Sequence, residues 1–507
     1  MNNKIIINSQ DNVGVYLVET NSIPAGHKFA LCDIKKGEFV IKYGQIIGRA
    51  TEDIKKGEWV HSHNLKSHLD EEMEYSYDFK AFKPEIEDGK FLGYKREKGR
   101  AGIRNEIYII PTVGCVNNVC MRVEKLCQKL VTGSIDGIFA LTHQFGCSQL
   151  GEDNENIKKL LCAIALNPNA SFVLFVGLGC ENNGLDGIKE YLKPYGRDNI
   201  AYFNCQEVED DVAYAVDIIK GFADKAKDFK REEVSLSELC IGLKCGGSDG
   251  YSGITANPLV GRITDKLVSK GGSAILTEVP EMFGAEQLLM NKCKNEQVFN
   301  QYKKMIEDFK AYYIDNGFPV YENPSPGNKK GGITTLEEKS LGCVEKAGTT
   351  EIVDVLDYGE LVKEKGVSTL NAPGNDLIAA TALASSGCQI VLFTTGRGTP
   401  FSTFVPTMKI STNDYLSSHK NKWIDFNAFS MDEDGLYNLL IQTVNGEYKC
   451  KSEDVREIAF YKKGVTLWVI LRIIFYLLIK RLKSCILIMQ KICLYSITIA
   501  ICLKNKF

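Results

Sequence analysis

Apolar and polar positions change rhythm twice along the chain. Residues 1–75 carry short apolar runs cut by glycine or by charged pairs, as in VYLV, KFAL, EFVIKYG and WVHSH. Runs of that length between turn residues predict short strands. The pentapeptide IKKGE occurs at 34–38 and again at 54–58, and each copy reads as a turn entering a strand. A small all-β domain is expected over 1–75. Residues 76–92 are charged and weakly patterned, as a linker is. From residue 93 onward, apolar runs such as EIYIIPTVG, SFVLFVGLG, ELCIGLKCGG and QIVLFTTGRG alternate with helix-compatible stretches. Near-continuous apolar strands ending in glycine and followed by helices predict an α/β body with Rossmann-like, largely parallel sheets. A charged stretch near 230–240 divides that body, giving α/β domains over 93–235 and 236–467. Residues 468–507 are dense in Ile, Leu, Lys and Cys. Their two apolar runs, 465–479 and 485–503, are short for a membrane hairpin. The preferred expectation is read-through past a natural end near Leu467, with Trp468 at the position of a stop codon.

Composition narrows the class. Hydrophobic content of 44% and charged content of 25% are those of an ordinary globular protein. The formal net charge of −3 offers no basic field for nucleic acid. No apolar leader follows MNNKIIINSQ, so the 17 cysteines are expected to be reduced thiols of a cytoplasmic protein.

The candidate chemistry is concentrated. The chain has six histidines, and His61, His63 and His68 fall within eight positions. If His61 and His63 continue the WV strand, both imidazoles project from one face, where they can hold a first-row metal or an anion. Polar residues then recur at predicted strand ends. These are His143 and Cys147, Cys180 with Glu181, and the run Lys244, Cys245, Ser248 and Asp249, followed by Arg397. Ligands of open α/β sheets bind at the carboxyl ends of strands, where glycine lets backbone approach and helix N-termini meet anions. Four such loops in series predict a shared anion-and-metal site. For each of Cys147, Cys180, Cys245 and Cys388, plain strand-end packing is the competing reading. Phosphate loops, HExxH, nucleophile elbows and paired CxxC motifs are absent from the sequence.

Long motifs carry a family resemblance. GYKREKGRAGIRNEIYIIPTVGCVNNV, LTHQFGCSQLGEDNENI, LKCGGSDGYSGITANPLVG, TEVPEMFGAEQLL, NPSPGNKKGGITTLEEKSLGCVEKAG and NAPGNDLIAATALASSGCQIVLFTTGRGTPFS resemble the altronate and galactarate dehydratase family. The resemblance leans to the altronate side and runs to about residue 467. It implies that residues 1–75 form a SAF (β-clip) domain. It also implies a hydro-lyase converting a sugar acid, D-altronate first, to 2-dehydro-3-deoxy-D-gluconate and water. Galactarate dehydration, a sulfolactate sulfo-lyase reaction and a non-catalytic binding protein on the same fold are the alternatives. The implied cofactor is Fe2+, or Mn2+ in its place, with an iron–sulfur cluster less favoured. A homo-oligomer is left open.

Carried onto this sequence, the resemblance makes His63 the first choice for a metal ligand or acid–base group, and His61 the second. His27 and Lys28 are candidates for substrate binding or proton transfer, and His143 for the core of the site. Lys244, Arg397, Ser248 and Asp249 are expected to bind substrate. Cys147 and Glu181 are expected to join the two histidines at the metal. His68 and His419 are expected at the surface.

Overall fold

The computed structural model describes residues 3–69 and 74–463. The tail singled out in the sequence, 468–507, lies outside the described residues. Among the described residues, no helix is long and apolar enough to cross a membrane.

The N-terminal region is all β. One antiparallel sheet joins Lys4–Ile5, Val13–Tyr16, Lys28–Ala30 and Trp59–Val60, and a second joins Phe39–Lys42, Gln45–Ala50 and Leu65–Lys66. The repeated pentapeptide explains part of this shape. Ile34 and Ile54 exchange both backbone hydrogen bonds at 2.8 Å. Lys35 pairs with Asp53 at 2.9 Å, and Lys55 with Asp33 at 3.0 Å. Each copy thus supplies the partner of the other.

The main body is α/β. Four parallel strands lie in the order Gly137–Ala140, Glu106–Pro111, Ala170–Gly177, Ile200–Asn204. A larger sheet of seven parallel strands runs Ile352–Leu356, Gly366–Leu370, Ser273–Leu276, Cys240–Cys245, Ile390–Thr395, Thr407–Ser411, Phe426–Asn427. The central strands are buried along their whole length, as strands covered on both faces must be. Side-chain caps start the helices that follow. Asn375 accepts from Ile378 N–H at the head of Asp376–Ser385, and Thr335 accepts from Glu338 N–H at the head of Leu336–Val344.

The β region shares its apolar core with the larger α/β unit. Val40, Ile47 and Leu65 belong to one buried cluster with Phe283 and Leu336. The segment expected to be a free linker is tied down as well. The Tyr75 hydroxyl donates to Glu286, the Tyr77 hydroxyl to the Cys293 carbonyl, and Glu87 N–H to the Ser269 carbonyl.

Candidate functional site

The carboxyl end of the seven-stranded sheet meets the β region, and buried charge collects there. The Lys28 and Lys42 side chains leave the β region and reach the two oxygens of Glu338, at 2.7 and 2.8 Å. All three are buried. Lys28 also donates to the Gly332 carbonyl at 2.8 Å. Burial, helped by Lys42, pulls the Lys28 ammonium down to about 8, although Glu338 opposes the shift. Glu338 is burdened by burial too, yet the two lysines hold it well below the usual carboxylate range. Further polar contacts join the apolar ones at this junction. Thr335 Oγ1 donates to the Ile47 carbonyl at 2.6 Å, and the Tyr251 hydroxyl to the Leu17 carbonyl at 2.9 Å.

A second buried group lies at the ends of the strands Cys240–Cys245 and Ser273–Leu276. Cys245 Sγ is 3.3 Å from Cys343 Sγ, and Glu281 Oε2 lies 3.7 and 3.2 Å from the two sulfurs. Lys346 donates to Cys245 Sγ at 3.0 Å, and Lys339 to Glu281 at 2.8 Å. Hydrogen bonding from Cys343, with Lys346 beside it, brings the Cys245 thiol down to about 5 against the effect of burial. Burial would raise Glu281, but Lys339 and Lys244 hold it at about 2. Lys244 itself is bound to Glu278, and to Asp376 at 2.8 Å. Among the described residues, Cys245, Glu281 and Cys343 are the group whose ligand atoms lie close enough together, within 4.8 Å, to hold one metal ion. Two thiols and a carboxylate suit Fe2+ better than the oxygen-preferring Mn2+. A small cavity beside this group is lined by Lys42, Tyr43, Ser248, Asp249, Glu338 and Cys343. The buried Ser248 hydroxyl has no protein partner.

The histidines are arranged differently from the strand expectation. The strand stops at Val60, and residues 61–64 form a turn in which Asn64 Oδ1 accepts from His61 N–H. His61 and His63 therefore do not share a strand face, although both rings lie against Trp59, at 5.0 and 5.5 Å. Trp59 Nε1–H donates to His27 Nδ1 at 3.2 Å, which leaves His27 Nε2–H to meet the Lys330 carbonyl at 3.3 Å. His61 Nε2 is 2.8 Å from the Lys329 carbonyl, and the Ser62 hydroxyl is 2.9 Å from its Nδ1. Both rings are thus fully occupied, and the Trp59 donor fixes His27 as a neutral tautomer. Burial lowers His27 to about 4 and moves His61 the same way. His63 is exposed, and among the described residues its ring nitrogens make no hydrogen bond.

The other sequence candidates separate into two places. Arg397 is exposed at the end of Ile390–Thr395, with one nitrogen on the Gly327 carbonyl at 3.2 Å. On the rim of the junction it thus meets the 327–330 helical turn, whose Lys329 and Lys330 carbonyls face His61 and His27. Asp249 is buried and takes hydrogen bonds from Ser252, Tyr251 N–H, Thr412 and Asn413, so it ties loops together. His143, Cys147 and Glu181 lie on the four-stranded sheet. His143 Nε2 faces the Pro111 carbonyl at 2.8 Å, and its Nδ1 accepts from Phe145 N–H. Glu181 takes Thr112 Oγ1 and the amides of Leu178 and Gly179. No group of close ligand atoms unites these residues with His61 and His63. His68, expected at the surface, is instead a docking residue whose Nδ1 lies 2.8 Å from the buried Glu337. The sequence reading missed Cys343, Glu281, Lys339, Lys346, Lys42 and Glu338.

Comparison with known proteins covers almost the whole described chain. Residues 16–68 match the altronate/galactarate dehydratase SAF domain. Residues 93–227 match the second domain of D-galactarate dehydratase/altronate hydrolase, and residues 236–466 match the D-galactarate/altronate dehydratase C-terminal domain. Altronate dehydratase of Bacillus subtilis is 50% identical over 471 residues, covering 90% of this chain and 94% of the relative. Altronate dehydratase of Escherichia coli is 46% identical, covering 90% and 95%. Galactarate dehydratase (L-threo-forming) of Escherichia coli is 31% identical, covering 81% of each.

Proposed function

The chain belongs to the D-galactarate/altronate dehydratase family, and we propose that its reaction is the dehydration of D-altronate to 2-dehydro-3-deoxy-D-gluconate. The observation that carries the substrate is the contrast in identity. Two altronate dehydratases match at 50% and 46%, against 31% for the galactarate enzyme.

The chemistry requires removal of a weakly acidic proton next to a carboxylate, and departure of the neighbouring hydroxyl. Arg397 takes the substrate carboxylate in this reading, supported by an exposed guanidinium that spends only one nitrogen on the Gly327 carbonyl. Positive charge there offsets the charge that builds on the carboxylate as the proton leaves. His63, whose exposed ring lies against Trp59 as the His61 ring does, moves the proton. His27 and His61 position the rim by holding the carbonyls of Lys330 and Lys329. Lys28 and Lys42 fasten the β region over the strand ends through Glu338. Cys245, Glu281 and Cys343 are the residues that would hold Fe2+. Such an ion supplies Lewis acidity toward substrate oxygens. The test is to load the protein with ferrous iron, supply D-altronate or galactarate, and assay for a 2-keto acid. Faster turnover of galactarate would overturn the substrate assignment.

A further inference from the structure

A second set of thiols lies on the four-stranded sheet, apart from Cys245 and Cys343. Three of its four strands end in a loop carrying a Gly-Cys pair. Cys115 follows Glu106–Pro111, Cys147 follows Gly137–Ala140, and Cys180 follows Ala170–Gly177. These are adjacent strands, so parallel pairing brings all three loops to one end of the sheet. All three thiols are free and exposed. On a sheet whose other cysteines are mostly buried packing residues, that exposure is the exception.

The loops are built against one another. Gly114 N–H donates to the Phe145 carbonyl at 2.9 Å, and Asn183 N–H to the Gly146 carbonyl at 3.1 Å. Ser148 N–H donates to Asn182 Oδ1 at 2.9 Å. Glycine makes this approach feasible. Gly146 has φ +103°, and a Cβ there would stand 2.1 Å from the Thr112 carbonyl oxygen. Ser148, next to Cys147, is held at φ +66°, a conformation that costs a non-glycine residue free energy and gathers at functional sites.

Polar groups around the thiols are left without partners. Asn183 is 1% exposed, and neither its oxygen nor its nitrogen is hydrogen-bonded. Asn117 Nδ2 donates to the His143 carbonyl, but its buried oxygen is unpartnered. Buried amides without partners mark a place where a polar guest is missing from the count.

We propose that Cys115, Cys147 and Cys180 ligate an iron–sulfur cluster of the cubane type, leaving one iron without a protein ligand. Thiolates are the ligands such clusters take, and backbone or amide hydrogen bonds to the sulfurs hold and tune them. Among the described residues, no group containing these three thiols brings its ligand atoms within 4.8 Å of one another, so they do not close on a single ion. A cluster, bound at separate corners, needs wider spacing. Among the described residues, the other candidate ligands nearby are already committed. The nitrogens of His143 and the oxygens of Glu181 are already engaged, and burial and Asp211 push the Cys205 thiol up to about 12. The unligated iron is open to water or to an oxygen of a small hydroxy acid. The site itself does not depend on the substrate assigned above.

The experiment uses the full chain, purified without oxygen and reconstituted with ferrous iron, sulfide and a thiol reductant. Iron, acid-labile sulfide, visible absorption and the electron paramagnetic resonance of the reduced protein are measured. About four sulfides and about five irons per chain are expected, four in the cluster and one at Cys245, Glu281 and Cys343, with a visible cluster chromophore. Cys115→Ser, Cys147→Ser and Cys180→Ser should each lose labile sulfide at least about tenfold, while melting as the parent does. Alanine at the same positions excludes ligation by the introduced hydroxyl. Cys205→Ser and Cys245→Ala should keep the sulfide. A parent protein that takes up no sulfide, or Cys147→Ala and Cys180→Ala variants that keep it, would overturn the inference.

Discussion

Lys28 and Glu338 form a 2.7 Å ion pair across the boundary between the β region and the α/β body, with side chains 0% and 1% exposed. Lys42 completes the triad from the second sheet of the β region. Removing one member of a buried ionic set leaves an uncompensated charge, which costs about 3–5 kcal/mol. Glu338→Gln is therefore expected to lower the melting temperature markedly.

The same carboxylate sets an acid limit. Its pKa is held below the ordinary 4.5, so its contribution is complete above about pH 4.5 and is lost as pH falls toward the folded value. Lys28 has the opposite sense. Its folded value of about 8 lies below 10.5, so its burial is unfavourable at neutral pH and is relieved between those two values. Melting temperature followed from pH 7 to 3 should fall more steeply in the parent than in Glu338→Gln. Parallel curves would assign acid unfolding to other groups.

His63→Ala is expected to reduce turnover at least about a hundredfold, the lower end of a positioned acid–base contribution. The ring is exposed and unbonded, so melting should move little. His419→Ala is the matched control, since His419 is also exposed and stacks on Tyr415. Near-normal turnover in His63→Ala would remove its proton-transfer role.

Arg397→Lys keeps the charge and loses the planar fork. Lysine cannot take a carboxylate bidentately, so kcat/KM should fall at least about tenfold. An unchanged KM and kcat would place the substrate carboxylate elsewhere.

Chelation should abolish activity, and ferrous iron should restore it better than manganese, given the thiols among the donors. Cys245→Ala should bind less of the iron that is not accompanied by sulfide. Full activity after metal stripping would contradict this.

Much of the fold was legible because burial on both faces writes a simple pattern. EIYIIP and CIGLKC are apolar almost without interruption, and each ends in glycine-rich chain. The site was harder to read. Lys339 and Lys346 look like solvated lysines in sequence, and only folding shows each neutralised by a distant carboxylate or thiol, while Lys244, expected to bind substrate, is held by Glu278 and Asp376. Cys343 sits in an unremarkable helical LGCVEKAG, about a hundred residues from Cys245, so spacing could not join them. The histidine pair suggested one strand face, but Asn64 folds the chain back at His61 and turns the strand into a loop. His143 and Glu181 looked like ligands because their residue types allow it. Their lone pairs and protons are taken by backbone groups that no sequence pattern announces.

The central claim is tested most directly by proton NMR of D-altronate with the iron-loaded protein in D2O. Loss of the proton at C2 and of the hydroxyl at C3 gives an enol, which must collect a solvent proton at C3 as it becomes the ketone. The expected product is 2-dehydro-3-deoxy-D-gluconate carrying one deuterium at C3. No turnover of D-altronate, or a 2-keto product with no deuterium at C3, would contradict it.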